Sequence, residues 1–516
     1  MTPVTALNVP SRYDAPSFSP EGTSVVSAPL AKDTAVAGGT TRRLAEFVAR
    51  TRFDDIPDDV RRRTKHLILD AIGCGMLGAR LPWSQVAVNG LAAVDDGTSA
   101  TVWGHGRRMT GPSAALLNGT FVQSFELDDY YEHGPLHSGS VVVPSLLATI
   151  ETLGGADGTD ILRAAAVGFE VGPRLGVALD GYELLNRGWH CGAIYGVLAS
   201  AATAAAVRKL DADAVEHALG IAGTQASGLM AAQYESMVKR MHHGFAARNG
   251  MVSAALAATG YSGIAEVLER PYGGMRHTFN PDTADLSRAV EDLGSRWDLM
   301  GINVKPYAAM AGTHPAIDGA LQLRDTLGIT PASVRSLVIE LPLVPFKHGG
   351  WVLSRPATVI GAQMNAAYAA AAVLCDGQAL AQQFSPDRIA ADDIWDLMEC
   401  IEVRHSQEMD ALAAATGHKR VTRMTLTTTQ GHTEQIVVQV ALGQGHRLMT
   451  DQQIVTKYRA LTDLVMPTER SRALEDAVLN IEDSAAEVIG LLAGSVEPLF
   501  TEDHGNRSAT EDGEQI

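Results

Sequence analysis

Through most of residues 41–290, apolar side chains recur every three or four positions and polar ones fill the gaps. That is the period of helices with one face in a core. IPDDVRRRTKHLILDAIG shows it first, with Pro57 and two acids at the start and apolar residues at 60, 67, 68, 71 and 72. Proline fits the first helical turn, and acids oppose the positive end of the helix dipole. PSAALLNGTFVQSFEL, GTDILRAAAVGFEVGPRL, DADAVEHALGIAGTQASGLMAA and FAARNGMVSAALAATG repeat the pattern, several stopping at glycine as helix C-termini do. CGAIYGVLASAATAAAV, 191–207, is apolar throughout but rich in alanine and glycine, and Arg208-Lys209 end it. It predicts a buried helix and not a membrane span.

The texture changes after about residue 300. VRSLVIELPLV (334–344), CIEVRH (400–405), RVTRMTLTTTQ (420–430) and TEQIVVQVAL (433–442) are β-branched and partly alternating, so they predict strands, the last two joined by a turn at Gly431. The Ala-rich GAQMNAAYAAAAVLCDG between the first two predicts a helix. The fold class expected is mainly α: a large helical domain over 41–300, a smaller α+β domain over 301–447, and helices over 448–497 packing back on the first. Residues 1–40 are expected to be a disordered leader and 498–516 a disordered acidic tail.

A chain of 516 residues is too long for one ordinary core, which supports more than one domain. The net charge of −18, with no long basic stripe, argues against nucleic acid as partner. An anionic substrate must then be drawn by a local basic pocket. Cys74, Cys191, Cys375 and Cys400 are far apart and form no CxxC, so a reducing compartment is expected, without disulfides or a zinc knuckle. No apolar signal segment occurs in residues 1–40. A cytoplasmic location follows, with a mitochondrial one as the alternative.

Five segments invite a chemical reading. GCGMLG (73–78) matches a dinucleotide fingerprint, but a helix and not a strand precedes it, so glycines for close helix packing are the better reading. In ELDDYYEHGPLHSG (126–139), four carboxylates and two histidines crowd together. His133 and His137 have the spacing of a helical metal pair, but Gly134-Pro135 breaks any helix between them, so no metal is expected. A proton-transfer loop and a solvated loop remain, with Asp128 or Asp129 available to orient His137. In MVKRMHHGFAARNG (237–250), a helix would bring Lys239 onto one face with His242 and His243, forming an anion site at the edge of the core. His190 lies between Trp189 and Cys191, surroundings in which a histidine is more often structural. Lys305 and His314 each precede a proline, in NVKPYAAMAGTHPAID, so Lys305 is extended at a domain junction of the kind that suits substrate clamps.

FELDDYYEHGPLHSGSVVVPSLLA, NRGWHCGAIYGVLASAA, ALGIAGTQASGLMAAQYESMVKRMHHGFAARNG, VKPYAAMAGTH and RPATVIGAQMNAAYAAA together resemble the MmgE/PrpD family over roughly 41–490. That family includes 2-methylcitrate dehydratase, cis-aconitate decarboxylase and iminodisuccinate epimerase, and the motifs look most like the fungal cis-aconitate decarboxylases. The resemblance implies an all-helical domain with an α+β lid, a homodimer, no cofactor and a small tricarboxylate substrate. It carries catalytic roles onto His137, His190, Lys239 and Lys305. Asp128, Asp129, His242 and His314 are expected to help bind substrate, with protonated histidines beside the lysines. Two positions depart from the animal decarboxylases: Glu126 and Tyr130 flank the acidic motif, and Met310 stands where they carry a histidine five residues after the lysine. His314 is a substitute donor in that case. A dehydratase or epimerase of a related di- or tricarboxylate is the alternative within the family, and a non-catalytic metabolite-binding scaffold the alternative outside enzymes.

Overall fold

Helices made of alanine, glycine and serine can approach until their backbones touch, and the helical core is built on that property. It comprises α1 (Asp58–Gly78), α2 (Gly111–Gln123), α3 (Gly139–Thr152), α4 (Gly158–Ala178), α5 (Gly196–Val207) and α6 (His242–Ala257). This computed structural model describes residues 38–233 and 236–500. The leader expected over 1–40 and the tail expected over 498–516 lie, but for their inner ends, outside the described residues. The described chain is mainly helical. The apolar run at 191–207 forms a short turn and then α5, buried along its whole length and packed on α3, α4 and α6. Among the described residues, no helix is long and apolar enough to cross a membrane.

Two glycines fix where α6 begins. A Cβ on Gly119 of α2 would come 2.9 Å from Gly244 Cα, and one on Gly244 would come 2.2 Å from the Leu116 carbonyl oxygen. Only glycine at both positions lets α2 and α6 cross this closely, and the crossing sets His242 and His243 at the core's edge. The GCGMLG glycines lie inside α1, where Gly73, Gly75 and Gly78 face Tyr458, Trp103 and the Phe121 carbonyl. They serve helix contact, and no strand precedes them.

Beyond residue 300 come α7 (His314–Leu327), α8 (Ala366–Asp376) and α9 (Asp451–Thr462), with strands β1 (Val334–Leu341), β2 (Ile401–His405), β3 (Thr422–Thr428) and β4 (Thr433–Val438). The sheet order is β2-β1-β3-β4, with β1 and β2 parallel and the other pairs antiparallel. The parallel pair needs a long crossover, which the helical stretch containing α8 provides. Along β3, buried positions alternate with half-buried ones, and Met424 from the buried face meets Gly319 of α7.

Two links tie this later chain to the helices. Tyr130 and Tyr131 pair antiparallel with Asn303 and Ile302, just before Lys305. α9 packs on α1, with Lys457 Nζ 2.6 Å from Asp70 and donating to the Leu127 carbonyl at 2.6 Å.

Candidate active site

Residues 125–129 follow α2, and each of the five has a partner from elsewhere in the chain. Gln363 Nε2 donates to the Phe125 carbonyl at 2.9 Å. The Glu126 carboxylate accepts from Lys239 Nζ on one oxygen and from Lys305 Nζ, at 3.3 Å, on the other. Lys457 holds the Leu127 carbonyl. Asp128 Oδ2 lies 3.0 Å from His137 Nδ1, an ion-pair distance without the alignment of a hydrogen bond. Asp129 accepts the Gly139 N–H at 2.9 and 3.1 Å and so anchors the start of α3. Of the two aspartates offered by the sequence, Asp128 therefore faces His137, while Asp129 binds backbone.

Four histidines gather beside this segment. The His137 ring is edge-on to His243 at 5.1 Å, His243 is 5.0 Å from His190, and His190 is 4.3 Å from His242. His190 is held by its own N–H, which donates to the Gly228 carbonyl at 3.0 Å. His243 rests over Gly192, where any Cβ would come 1.9 Å from its Nε2. The glycine after Cys191 is what makes room for that ring. Lys239 is not on α6. It lies in a 3₁₀ turn, Met237–Met241, begun by Ser236, whose hydroxyl accepts the Val238 N–H, and α6 starts only at His242. The turn sends Lys239 toward Glu126 while the histidines follow on the helix.

Burial opposes charge on Glu126, but the Lys239 and Lys305 ammonium groups overcome it and hold this carboxyl well below the usual carboxylate range. The histidines behave oppositely. Burial first, and then the neighbouring His242, pushes His190 well below its ordinary value. Burial and then His190 do the same to His243, and burial and then Lys239 lower His242. The expectation of protonated histidines beside the lysines is corrected for these three rings, because burial disfavours the imidazolium and the neighbouring rings and Lys239 add to that. Arg240, stacked over Trp83 at 4.3 Å, is pulled by burial to about 10 and stays cationic at neutral pH.

Several buried polar atoms here have no hydrogen-bond partner among the described residues: Nδ1 of His190 and His242, both ring nitrogens of His243, and both Asp128 oxygens. Buried polar groups are ordinarily satisfied, so such a concentration singles this cluster out as a candidate site.

The remaining sequence candidates divide. His314 is fully buried at the start of α7, edge-on to Tyr307 at 5.2 Å, and its Nε2 bonds to the Ala309 carbonyl at 3.0 Å. A carbonyl can only accept, so Nε2 carries the proton and Nδ1 has none to give. Burial pushes His314 down to about 3. His133 is exposed and turns its ring to Tyr131 at 5.6 Å, away from the role of His137. Among the described residues, no group of three or more His, Cys, Asp or Glu is arranged to hold a metal ion. Two open clefts, of 430 and 290 Å³, lie elsewhere, around Arg61 and Lys65 and around Arg52 and Arg163. Their cations are met by acids or carbonyls, as Lys65 is by Glu482 at 2.7 Å and Arg163 by the Ala206 carbonyl at 2.7 Å. Sequence reasoning gave Glu126 no role in the site, although it lies at the centre of the cluster, and named His243 only beside Lys239 and His242 as part of an anion site.

Comparison with known proteins finds family models and relatives that cover most of the chain. The MmgE/PrpD N-terminal domain model matches residues 42–287, and the MmgE/PrpD C-terminal domain model matches residues 307–483. The chain is 39% identical over 483 residues to the cis-aconitate decarboxylase-like protein oryM of Aspergillus oryzae, covering 90% of this chain and 99% of the relative. It is 38% identical over 467 residues to a cis-aconitate decarboxylase of Aspergillus terreus, covering 87% and 94%. Against the human cis-aconitate decarboxylase the identity is 26% over 455 residues, covering 86% and 92%.

Proposed function

The chain belongs to the MmgE/PrpD family, and on that footing we propose that it is a cofactor-free carboxy-lyase converting cis-aconitate to itaconate and carbon dioxide. The observation that carries this reading is the meeting, in one buried cluster, of two lysines with a histidine faced by a carboxylate. The relatives named cis-aconitate decarboxylase support it.

The reaction sets two tasks. The carboxyl group on the methylene carbon leaves as carbon dioxide, and its bonding pair spreads over the allylic carbons toward the carbon beside the far carboxylate. One proton delivered to that carbon gives itaconate. Lys239 and Lys305 clamp substrate carboxylates, each charge-assisted bond contributing about 1.5–3 kcal/mol. They speed the reaction only as far as they strengthen when charge moves. His137 delivers the proton and Asp128 steadies the ring, a role worth typically ~10²–10⁴-fold. His190, His242 and His243, uncharged, offer N–H groups to the same carboxylates. In this reading the sheet-bearing segment 301–447 is a lid that brings Lys305 to the helices, and the enzyme works as a homodimer.

One feature favours a second reading, a dehydratase or epimerase of a related di- or tricarboxylate. Met310 stands five residues after Lys305, where the animal decarboxylases are expected to carry a histidine. Incubation of the pure protein with cis-aconitate, and separately with 2-methylcitrate, decides between them. Itaconate and carbon dioxide in equal amounts support the decarboxylase, whereas turnover of 2-methylcitrate without carbon dioxide supports the second reading.

A further inference from the structure

We propose that Glu126 is a positioning residue: its carboxylate holds the Lys239 and Lys305 ammonium groups as a pair and aims their remaining N–H groups at the carboxylates of one substrate molecule. The proposal rests on the reading of these lysines as substrate clamps.

The two lysines reach the site by unrelated routes. One comes from the turn before α6 and the other from the chain just after the strand pair with Tyr130–Tyr131. What they share is Glu126, one oxygen each. Their side chains are largely buried, Lys305 almost wholly. Two cations brought together out of water repel, and a carboxylate between them turns that repulsion into a fixed geometry. An ammonium group has three donors. Glu126 engages one on each lysine, which leaves the others for a ligand.

The backbone agrees. Glu126 has φ +56°, a left-handed conformation that non-glycine residues adopt only when the surroundings impose it. Here they do, because the carbonyls on either side are held by Gln363 and Lys457. The backbone that carries this carboxylate is thus held on both sides at the point where the two lysines meet. The other charged or titratable groups close enough to act on it are His137, His190 and Arg240. None of them takes over either of its oxygens.

The test uses Glu126→Gln, Glu126→Asp and Glu126→Ala in the full chain. In Glu126→Gln the lysines lose their common anchor, and kcat falls about 100-fold, the scale of a misplacement of about 1 Å. KM does not rise, because the site has gained net positive charge. Glu126→Asp recovers part of kcat. Glu126→Ala recovers part of it when formate, a carboxylate small enough for the space, is added. Wild-type kcat in Glu126→Gln overturns the proposal. So does a loss of kcat that neither aspartate nor formate relieves while the melting temperature is unchanged. If Glu126→Gln does not fold, the aspartate variant and the formate effect decide. If the wild type releases no carbon dioxide from cis-aconitate, the proposed reaction fails and Glu126 is judged by calorimetry with propane-1,2,3-tricarboxylate. The assignment then stands if formate returns the Glu126→Ala affinity to that of the wild type, and falls if formate makes no difference.

Discussion

Two buried ion clusters in the helical core look alike in composition and differ in what they leave over. On α4, Glu170 and Arg174 form a pair with no exposed surface. Arg174 also donates to the carbonyls of Ala289, Glu291 and Arg296, and Glu170 accepts the Leu299 N–H at 3.0 Å. Each nitrogen and each carboxylate oxygen of this pair has a partner, all within the chain. Around Glu126 the charges are also paired, but the adjoining histidines and Asp128 keep atoms without a partner among the described residues. A closed cluster fastens a loop to a helix and has nothing to offer a ligand. An open one keeps polar groups out of water unsatisfied, which is costly unless something binds there.

The contrast can be broken or sharpened by experiment. The largest effect is expected at the open cluster: His137→Ala should lower kcat by about 10²–10⁴-fold and change KM less, because a proton donor acts mainly in the transition state. A change in KM alone would make His137 a carboxylate clamp. At the closed cluster, Arg174→Ala should destabilise the fold by about 3–5 kcal/mol, since it leaves Glu170 buried without its partner. The folded fraction should keep the wild-type kcat, as read by thermal melting beside activity per folded molecule. Lys239→Ala and Lys305→Ala should each remove about 1.5–3 kcal/mol of transition-state stabilisation, or one to two orders of magnitude in kcat/KM. Melting far below wild type in both would move these lysines to the structural side of the comparison. Dialysis against a strong chelator should leave activity intact, and a loss restored by one divalent ion would contradict this. His133→Ala should be nearly silent in kcat and KM.

Periodicity made the helices legible, and strands β1 to β4 lie within the segments that alternation marked, whereas the short pairs of 100–102 with 107–109 and of 130–131 with 302–303 were not marked. The reading of GCGMLG as packing glycines needed only the helical pattern before it. His137 and Asp128 were legible because they are close in sequence and a Gly-Pro turn folds one back on the other. Glu126 was not. Its role depends on lysines 113 and 179 residues away, and no local spacing carries that information. Its left-handed backbone also gives no signal, since glutamate is not a residue that marks such a turn. His243 was visible only as half of a His-His pair. The clue to its placement is Gly192, a residue on another segment whose missing side chain leaves room for the ring.

The support of the Leu127 carbonyl by Lys457, 330 residues further along, bears on how the enzyme comes into being. Contacts of such sequence separation are slow to form, because a long loop must close before they return any stabilisation. During synthesis the helices up to α6 leave the ribosome first, carrying Glu126, Asp70 and Asp128 with no Lys305 or Lys457 yet made. That half-built protein holds its acids in water. The segment that carries Glu126 gains this support only when α9 arrives, close to the end of translation.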